Sequence, residues 1–290
     1  MKKIAWIGTG VMGNAMVGHL IDAGYECSLY NRSKDKMINF IGRARISETI
    51  EDAVKDADII FTMVGYPKDV HEVYCANNGI FNHCKKGVLC VDMTTSAPSL
   101  AEELYEIAKA KNIRIIDAPV SGGDIGAKNA TLSIMVGGDK SDFDEASEFF
   151  KFMGKQISYI GASGSGQHCK MANQILVAGN IAAVTEALLY METKNLDQSL
   201  VLQAISGGAA GSWQLTNNGP KIIKQDYNPG FYIHHFVKDL KLVCEEAEKN
   251  NLDLTIVKEV TKKYERLLKS GNGYLGTQAL IKDYSDSREN

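Results

Sequence analysis

The chain has no unbroken apolar run of about 18 residues, the length a helix needs to cross a bilayer. It has no charge excess either: 32 basic residues face 35 acidic ones, for a net charge of −3. Nucleic-acid binders carry a basic patch, so neither nucleic acid nor membrane is an expected partner. The opening Met1-Lys-Lys-Ile-Ala-Trp-Ile7 begins like a secretory leader, but Gly8 and Gly10 interrupt its apolar stretch almost at once. The six cysteines (Cys27, Cys75, Cys84, Cys90, Cys169 and Cys244) show no Cys-x-x-Cys spacing and no clustering with histidine. That usage fits a reduced, cytoplasmic protein without a metal site. The adjacent His234 and His235 are expected to point in different directions. At 290 residues the chain is long enough for two domains.

What is present begins at residue 2. An apolar run of strand length leads straight into Gly8-x-Gly10-x-x-Gly13, and helical periodicity follows to Gly24. In such a turn the first glycine permits the tight bend and the second lets the backbone approach a pyrophosphate. The third lets helix and strand pack closely. Backbone N–H groups at the helix start, around Val11 and Met12, then carry the anion. The motif alone is common, but a strand before it, a helix after it and a second strand at Glu26–Tyr30 give it the context a dinucleotide site needs.

The end of that second strand selects the nucleotide. An acidic residue there takes the ribose 2′-hydroxyl of NAD, whereas an arginine accommodates the 2′-phosphate of NADP. Here the residues are Asn31, Arg32, Ser33 and Lys34, with no carboxylate before Asp35. Arg32 offers charge-assisted bonds to a phosphate, and Asn31 and Ser33 offer donors. NADP is favoured over NAD.

Strand-like segments recur at 26–30, 59–64, 88–92, 114–117, 132–137 and 156–160. Helical spacing falls between them at about 34–41, 50–56, 67–76, 98–111 and 141–153. Such alternation implies a doubly wound, largely parallel α/β sheet with helices on both faces. Past Gly161 strand signals stop, and 167–193, 197–206, 236–250 and 254–269 read as helices. The expected division is a nucleotide-binding domain over 1–162 and an all-helical domain over 163–290. The second would open with a helix about 40 Å long, joined through a flexible glycine-rich hinge at Gly161–Gly166.

Ligands of such sheets lie at the carboxyl ends of the strands. Three segments should therefore face the nucleotide: Met63-Val64-Gly65-Tyr66, Asp92 to Ser96 with Thr95, and Asp117 to Gly123. In the last, Ser121 offers a hydroxyl and Gly122 and Gly123 offer N–H groups without side chains, a combination suited to a carboxylate. Beyond the hinge, Lys170 and Asn173 share one helix face, an amine and an amide beside Val177.

In order, Gly8-x-Gly10-x-Met12-Gly13, Asp117-Ala-Pro-Val-Ser121-Gly122-Gly123, Gly161-x-x-Gly164-x-Gly166-x-x-x-Lys170-x-x-Asn173 and Lys238-Asp239-Leu240 together resemble the β-hydroxyacid dehydrogenases. That is the family of 3-hydroxyisobutyrate dehydrogenase and the semialdehyde reductases. The resemblance runs from residue 1 to about 284. It implies a Rossmann domain followed by an all-α domain, usually in dimers or tetramers. It also implies hydride transfer between NAD(P) and a small carboxylated aldehyde or β-hydroxy acid. By that resemblance Lys170 is the acid/base; Ser121, Gly122, Gly123 and Asn173 hold the substrate carboxylate; Phe231 and Asp239 line the substrate site; and Thr95 and Lys238 contact the cofactor. The related decarboxylating 6-phosphogluconate dehydrogenases carry a glutamate two helical turns after the lysine, where this chain has Val177, so the expected reaction is non-decarboxylating. As a base Lys170 would need a lowered pKa, which desolvation supplies. Two alternatives compete: an imine reductase of the same plan, which lacks the lysine, and a catalytically silent nucleotide-binding module. Trp213 reads equally as a cap on the pocket or as an anchor between domains. The acidic tail from Lys282 to Asn290 is expected to fray.

Overall fold

The computed structural model describes residues 2–286, and the chain divides at Lys170/Met171 into two compact units. The strands of the first unit are β1 (Lys3–Ile7), β2 (Glu26–Tyr30), β3 (Arg45–Ile46), β4 (Ile59–Thr62), β5 (Leu89–Asp92), β6 (Arg114–Asp117), β7 (Val120–Ser121), β8 (Leu132–Gly137) and β9 (Gly154–Gly161). Its helices are α1 (Val11–Asp22), α2 (Ile50–Val54), α3 (Pro67–Cys75), α4 (Ile80–His83), α5 (Pro98–Ala110), α6 (Gly123–Lys128) and α7 (Lys140–Phe150). The strands form one sheet in the order β3-β2-β1-β4-β5-β6-β8-β7, with β9 added on β8. From β3 to β6 every pairing is parallel; β8 runs antiparallel to β6 and β7. The sheet is thus the doubly wound, largely parallel one that the alternation predicts.

Strand periodicity explains why helices cover both faces. Successive side chains point to opposite sides of a strand. Ile4, Trp6, Ile59, Phe61, Leu89 and Val91 point to one side, where Met16, Val17 and Leu20 of α1 and Phe149 and Phe150 of α7 pack. Ala5, Ile7, Ile60 and Cys90 point to the other, against Val54 of α2, Val70 and Tyr74 of α3 and Leu104 of α5. A sheet apolar on both faces needs two helical layers to leave water.

The second unit is helical. α8 (Ser165–Thr193) begins in the first unit and continues into the second, followed by α9 (Gln198–Ser206), α10 (Gly219–Ile223), α11 (Ile233–Lys249), α12 (Thr255–Lys269) and α13 (Ile281–Asp286). Among the described residues past Gly161 no strand forms, only an isolated bridge between Tyr232 and Gly276. Asp197 caps α9 by accepting from Ser199 and Leu200 N–H.

Several details depart from the periodicity. Residues Lys34–Phe40 form a 3-10 turn rather than an α-helix. The tail does not fray as a whole: residues 281–286 are helical, and the buried Asp283 carboxylate accepts two bonds from Arg266, at 2.7 and 2.8 Å. Residues 287–290 lie outside the described residues. α8 is long and apolar enough, by length and composition, to cross a membrane, although no unbroken apolar run exists. Half of its most apolar 18-residue window is buried inside the protein, as in a core helix.

Candidate functional site

The carboxyl ends of the parallel strands share one edge, and the order reverses beside β1, whose neighbours are β2 and β4. At this switch point stands the β1–α1 turn. Gly8 has φ +99°, a left-handed conformation that side chains resist, and its N–H donates to Tyr30 O at 2.9 Å. A Cβ on Gly8 would lie 2.2 Å from Met63 O, and one on Gly13 would lie 2.1 Å from Gly8 O. The turn is therefore locked from both sides, with Trp6 Nε1 donating to Gly8 O at 2.8 Å. A Cβ on Gly10, in contrast, would meet nothing within 4 Å. Gly10 is the N-cap of α1, no side chain caps that helix, and no acid lies in its first turn. Val11 and Met12 follow it, with Val11 exposed. Open space over Gly10 and an uncapped helix start suit a pyrophosphate.

Around this turn the other nucleotide candidates take distinct positions. Asn31 is already engaged: Oδ1 accepts from Thr9 N at 2.9 Å and Nδ2 donates to Ser33 O at 2.8 Å. Its side chain braces the loop rather than standing idle for a ligand. Arg32 is 84% exposed, with Nη1 3.8 Å from Asp69 Oδ1. Ser33 begins the 3-10 turn. Met63 N–H donates to Ile7 O at 2.9 Å, and Val64 N–H donates to Thr94 Oγ1 at 3.0 Å. Beside Gly65 there is little room, since a Cβ there would lie 3.1 Å from Asp69 Oδ2.

Below the Thr94–Thr95–Ser96 loop lies a buried polar chain. Thr62 Oγ1 donates to Asp92 Oδ1 at 2.8 Å and lies 2.9 Å from Tyr74 OH, and Thr94 N–H donates to the same carboxylate oxygen at 3.1 Å. Burial pushes the Asp92 carboxyl up to about 6 against the pull of these donors. The same cause raises the buried Tyr74 phenol.

The start of α8 is fixed by residues far away in sequence. Asp117, at the end of β6, accepts from Gly164 N–H through Oδ1 and from Gln167 N–H through Oδ2, both at 2.8 Å. Desolvation raises this carboxyl, offset by the backbone donors it gathers. A Cβ on Gly166 would lie 2.5 Å from Met135 O and 2.7 Å from Asp117 Oδ2. The glycine-rich stretch expected to be a flexible hinge is thus close-packed there; glycine is needed for close approach, not for slack.

One turn later the buried Lys170 Nζ donates to Val120 O at 2.9 Å. Val120 and Ser121 form β7, paired with β8, and Gly122 and Gly123 lead into the short helix α6. Lys170 and the Ser121–Gly123 turn are therefore brought together. Gln167, which the motif reading passed over, is fully buried and bonds both sides of Thr95. Its Oε1 accepts from Ser96 N–H at 2.9 Å, and its Nε2 donates to Thr94 O at 2.8 Å.

In the second unit Asn173 Nδ2 donates to Gln174 Oε1 at 2.7 Å, and the buried Gln174 Nε2 donates to Asp239 Oδ2 at 2.6 Å. Lys238 Nζ lies 3.1 Å from Asp239 Oδ1. Asn173, Asp239 and Lys238 are thereby linked through Gln174, which sequence reasoning also missed. Phe231 sets its ring edge against Phe236, centroids 5.7 Å apart. The rings of His234 and His235 converge, contrary to expectation, with centroids 4.1 Å apart. Burial, then the neighbouring His234 and Lys238, lower His235 to about 4, so it is neutral at physiological pH. Among the described residues no group of three His, Cys, Asp or Glu side chains is placed to hold a metal. Trp213 is 59% exposed.

Residues 3–161 match the model of the NAD binding domain of 6-phosphogluconate dehydrogenase. Residues 164–284 match that of the NAD-binding region of NADP-dependent 3-hydroxyisobutyrate dehydrogenase. The chain belongs to the β-hydroxyacid dehydrogenase family. A protein of Arabidopsis thaliana named probable 3-hydroxyisobutyrate dehydrogenase-like 1, mitochondrial, is 44% identical over 96% of this chain and 84% of its own length. The 2-hydroxy-3-oxopropionate reductase of Escherichia coli is 37% identical over 96% of both chains. The solved structure of Mycobacterium tuberculosis 3-hydroxyisobutyrate dehydrogenase with L-serine has a TM-score of 0.89 at 26% identity, covering 97% of this chain and 98% of that one. Membership makes the chain an NAD(P)-dependent dehydrogenase.

Proposed function

We propose that the protein interconverts a small carboxylated aldehyde and its β-hydroxy acid without decarboxylation, with NADP preferred over NAD and Lys170 as acid/base. The observation that carries this reading is the buried Lys170 ammonium held 2.9 Å from Val120 O, next to Ser121 and the two glycines. A nicotinamide, when bound, supplies or accepts the hydride. In reduction the substrate oxygen gains negative charge as its carbon is reduced; the Lys170 ammonium stabilises that charge and then gives the oxygen its proton. In oxidation the neutral amine takes the hydroxyl proton. The Ser121 hydroxyl and the N–H groups of Gly122 and Gly123 hold the carboxylate, which fixes the distance from acid group to reacting carbon. Asn173, Phe231 and Asp239 are assigned to substrate recognition, and Thr95 and Lys238 to the cofactor. Val177, lacking an acid, cannot supply the second proton that decarboxylation requires.

The preference for NADP rests on Arg32, exposed at the end of β2 with no acidic residue in the strand-end position. Val11, Met12 and Gly13 lie at the pyrophosphate end, and Asn31, Ser33, Met63, Val64 and Gly65 line the nucleotide edge. In this reading the enzyme works in the cytoplasm as a homodimer or homotetramer. A reduction assay separates it from its rivals. Glyoxylate, succinic semialdehyde, methylmalonate semialdehyde and tartronate semialdehyde are tested with NADPH and NADH beside a cyclic imine. Turnover of at least one acid with NADPH is expected. Turnover of the imine alone, or nucleotide binding without turnover across the panel, would overturn it.

A further inference from the structure

Gln167 carries no part of the reaction described above, yet both ends of its side-chain amide are hydrogen-bonded. Its buried amide spends Oε1 on Ser96 N–H and Nε2 on Thr94 O. Both partners sit in the loop leaving β5, on either side of Thr95. Its own N–H is fixed to Asp117 Oδ2 at the end of β6. The first turn of α8 is thus bound to two strand ends at once: to β5 through a side-chain amide, and to β6 through a carboxylate. Lys170 lies three residues on, over the same helix face. From the other side the loop is held by Thr94 Oγ1, which accepts from Val64 N–H, and by Asp92, which accepts from Thr94 N–H. A buried amide bonded at both ends is costly to leave half-satisfied, so its geometry is firm.

We infer that Gln167 is a positioning residue that makes one rigid piece of the Thr95 loop and the turn bearing Lys170. The loop against the nicotinamide and the proton-carrying amine are thereby kept in register. The inference rests on the reading in which Lys170 is the acid/base. Gln167 touches no reacting atom; it acts through Thr94, Ser96 and the helix. Loosening its amide should have two linked effects. The nucleotide loop becomes less ordered, which weakens cofactor binding, and the amine drifts from its station. A misplacement of about 1 Å can cost on the order of 10²-fold in rate.

Two variants test it. Gln167→Met removes both bonds at similar volume. Gln167→Glu keeps the shape and the acceptor for Ser96 N–H but turns a second oxygen toward Thr94 O. NADPH affinity is read from nucleotide fluorescence, and hydride transfer from single turnovers at saturating NADPH with whichever acid of the panel is reduced. The primary isotope effect on kcat uses NADPH deuterated at the transferred position. Melting curves report folding. Expected in both variants are about 10-fold weaker NADPH binding, hydride transfer slower by about 10- to 100-fold, and a raised isotope effect on kcat. Folded Gln167→Met with a rate within about two-fold of wild type would overturn the inference, whatever its melting temperature. So would failure of both variants to fold, which would make the residue simply structural. Lys170→Met distinguishes this from failure of the parent reading. If that variant turns over normally there is no amine to position, and both ideas fall; if it is dead while Gln167→Met is not, only the inference falls.

Discussion

The ammonium of Lys170 and the carbonyl oxygen of Val120 are joined by a 2.9 Å hydrogen bond across 50 residues of sequence. The bond fixes the Lys170 amine beside Ser121, so in the proposed reaction the proton donor and the turn assigned to the carboxylate are held to each other. Preorganisation of this kind lets charge stabilisation act without rearrangement at the moment of reaction.

Two glycines of one motif should respond oppositely to alanine. Gly10→Ala should fold with a near-normal melting temperature, because its Cβ meets nothing within 4 Å, yet bind NADPH more weakly by intruding on the pyrophosphate. Gly13→Ala should lose stability, because its Cβ would lie 2.1 Å from Gly8 O. Melting curves and nucleotide titrations on both variants make the comparison; the reverse order would contradict the packing of the turn.

Arg32 should decide between nucleotides. A charge-assisted hydrogen bond contributes about 1.5–3 kcal/mol, so Arg32→Ala should raise KM for NADPH by roughly 10- to 100-fold and leave KM for NADH nearly unchanged. Steady-state kinetics with both cofactors read the ratio directly. A ratio that does not move would remove Arg32 from 2′-phosphate recognition.

In the proposed reading Ser121 holds the carboxylate, which does not react, so Ser121→Ala should raise KM for carboxylated substrates more than it lowers kcat. An unaltered KM would count against a carboxylate at this turn.

Asp92 imposes a pH dependence whose sign follows from its surroundings. Its carboxyl ionises near 6 in the folded chain against 3.8 for the ordinary group, so between these values the folded state holds more protons than the unfolded one. Stability from this residue is therefore full below about pH 4 and lost as pH rises toward 6, by up to about 3 kcal/mol. Asp117, also raised by burial, acts in the same direction. Asp92→Asn should gain stability relative to wild type as pH increases from 4 to 7, in urea titrations at several pH values. A difference independent of pH would show that Asp92 ionises normally.

What was readable in the sequence had a local cause. The sheet and its two helical layers follow from alternation along strands such as Ile4–Ile7, where each residue's face is set by its position alone. The nucleotide turn follows from Gly8, Gly10 and Gly13, because backbone closeness admits few alternatives. Lys170 and Asn173 were visible through helical spacing. Gln167 was not, since its partners Ser96 and Thr94 lie 71 and 73 residues away and glutamine has no spacing that announces a bridge. Asp117 was placed in a motif, but its capping of α8 depends on β6 reaching Gly164 and Gln167. The glycines of Gly161–Gly166 were read as slack, although glycine serves close packing equally well, as at Gly166 in the first turn of α8. The His234–His235 contact depends on side-chain rotamers, which a residue pattern does not specify.

The most direct measurement is the single-turnover rate of hydride transfer from saturating NADPH in Lys170→Met, beside nucleotide affinity in the same variant. The account predicts a rate lower by about 10²- to 10⁴-fold with NADPH binding within a few-fold of wild type. Hydride transfer at the wild-type rate in a variant without that amine would contradict it.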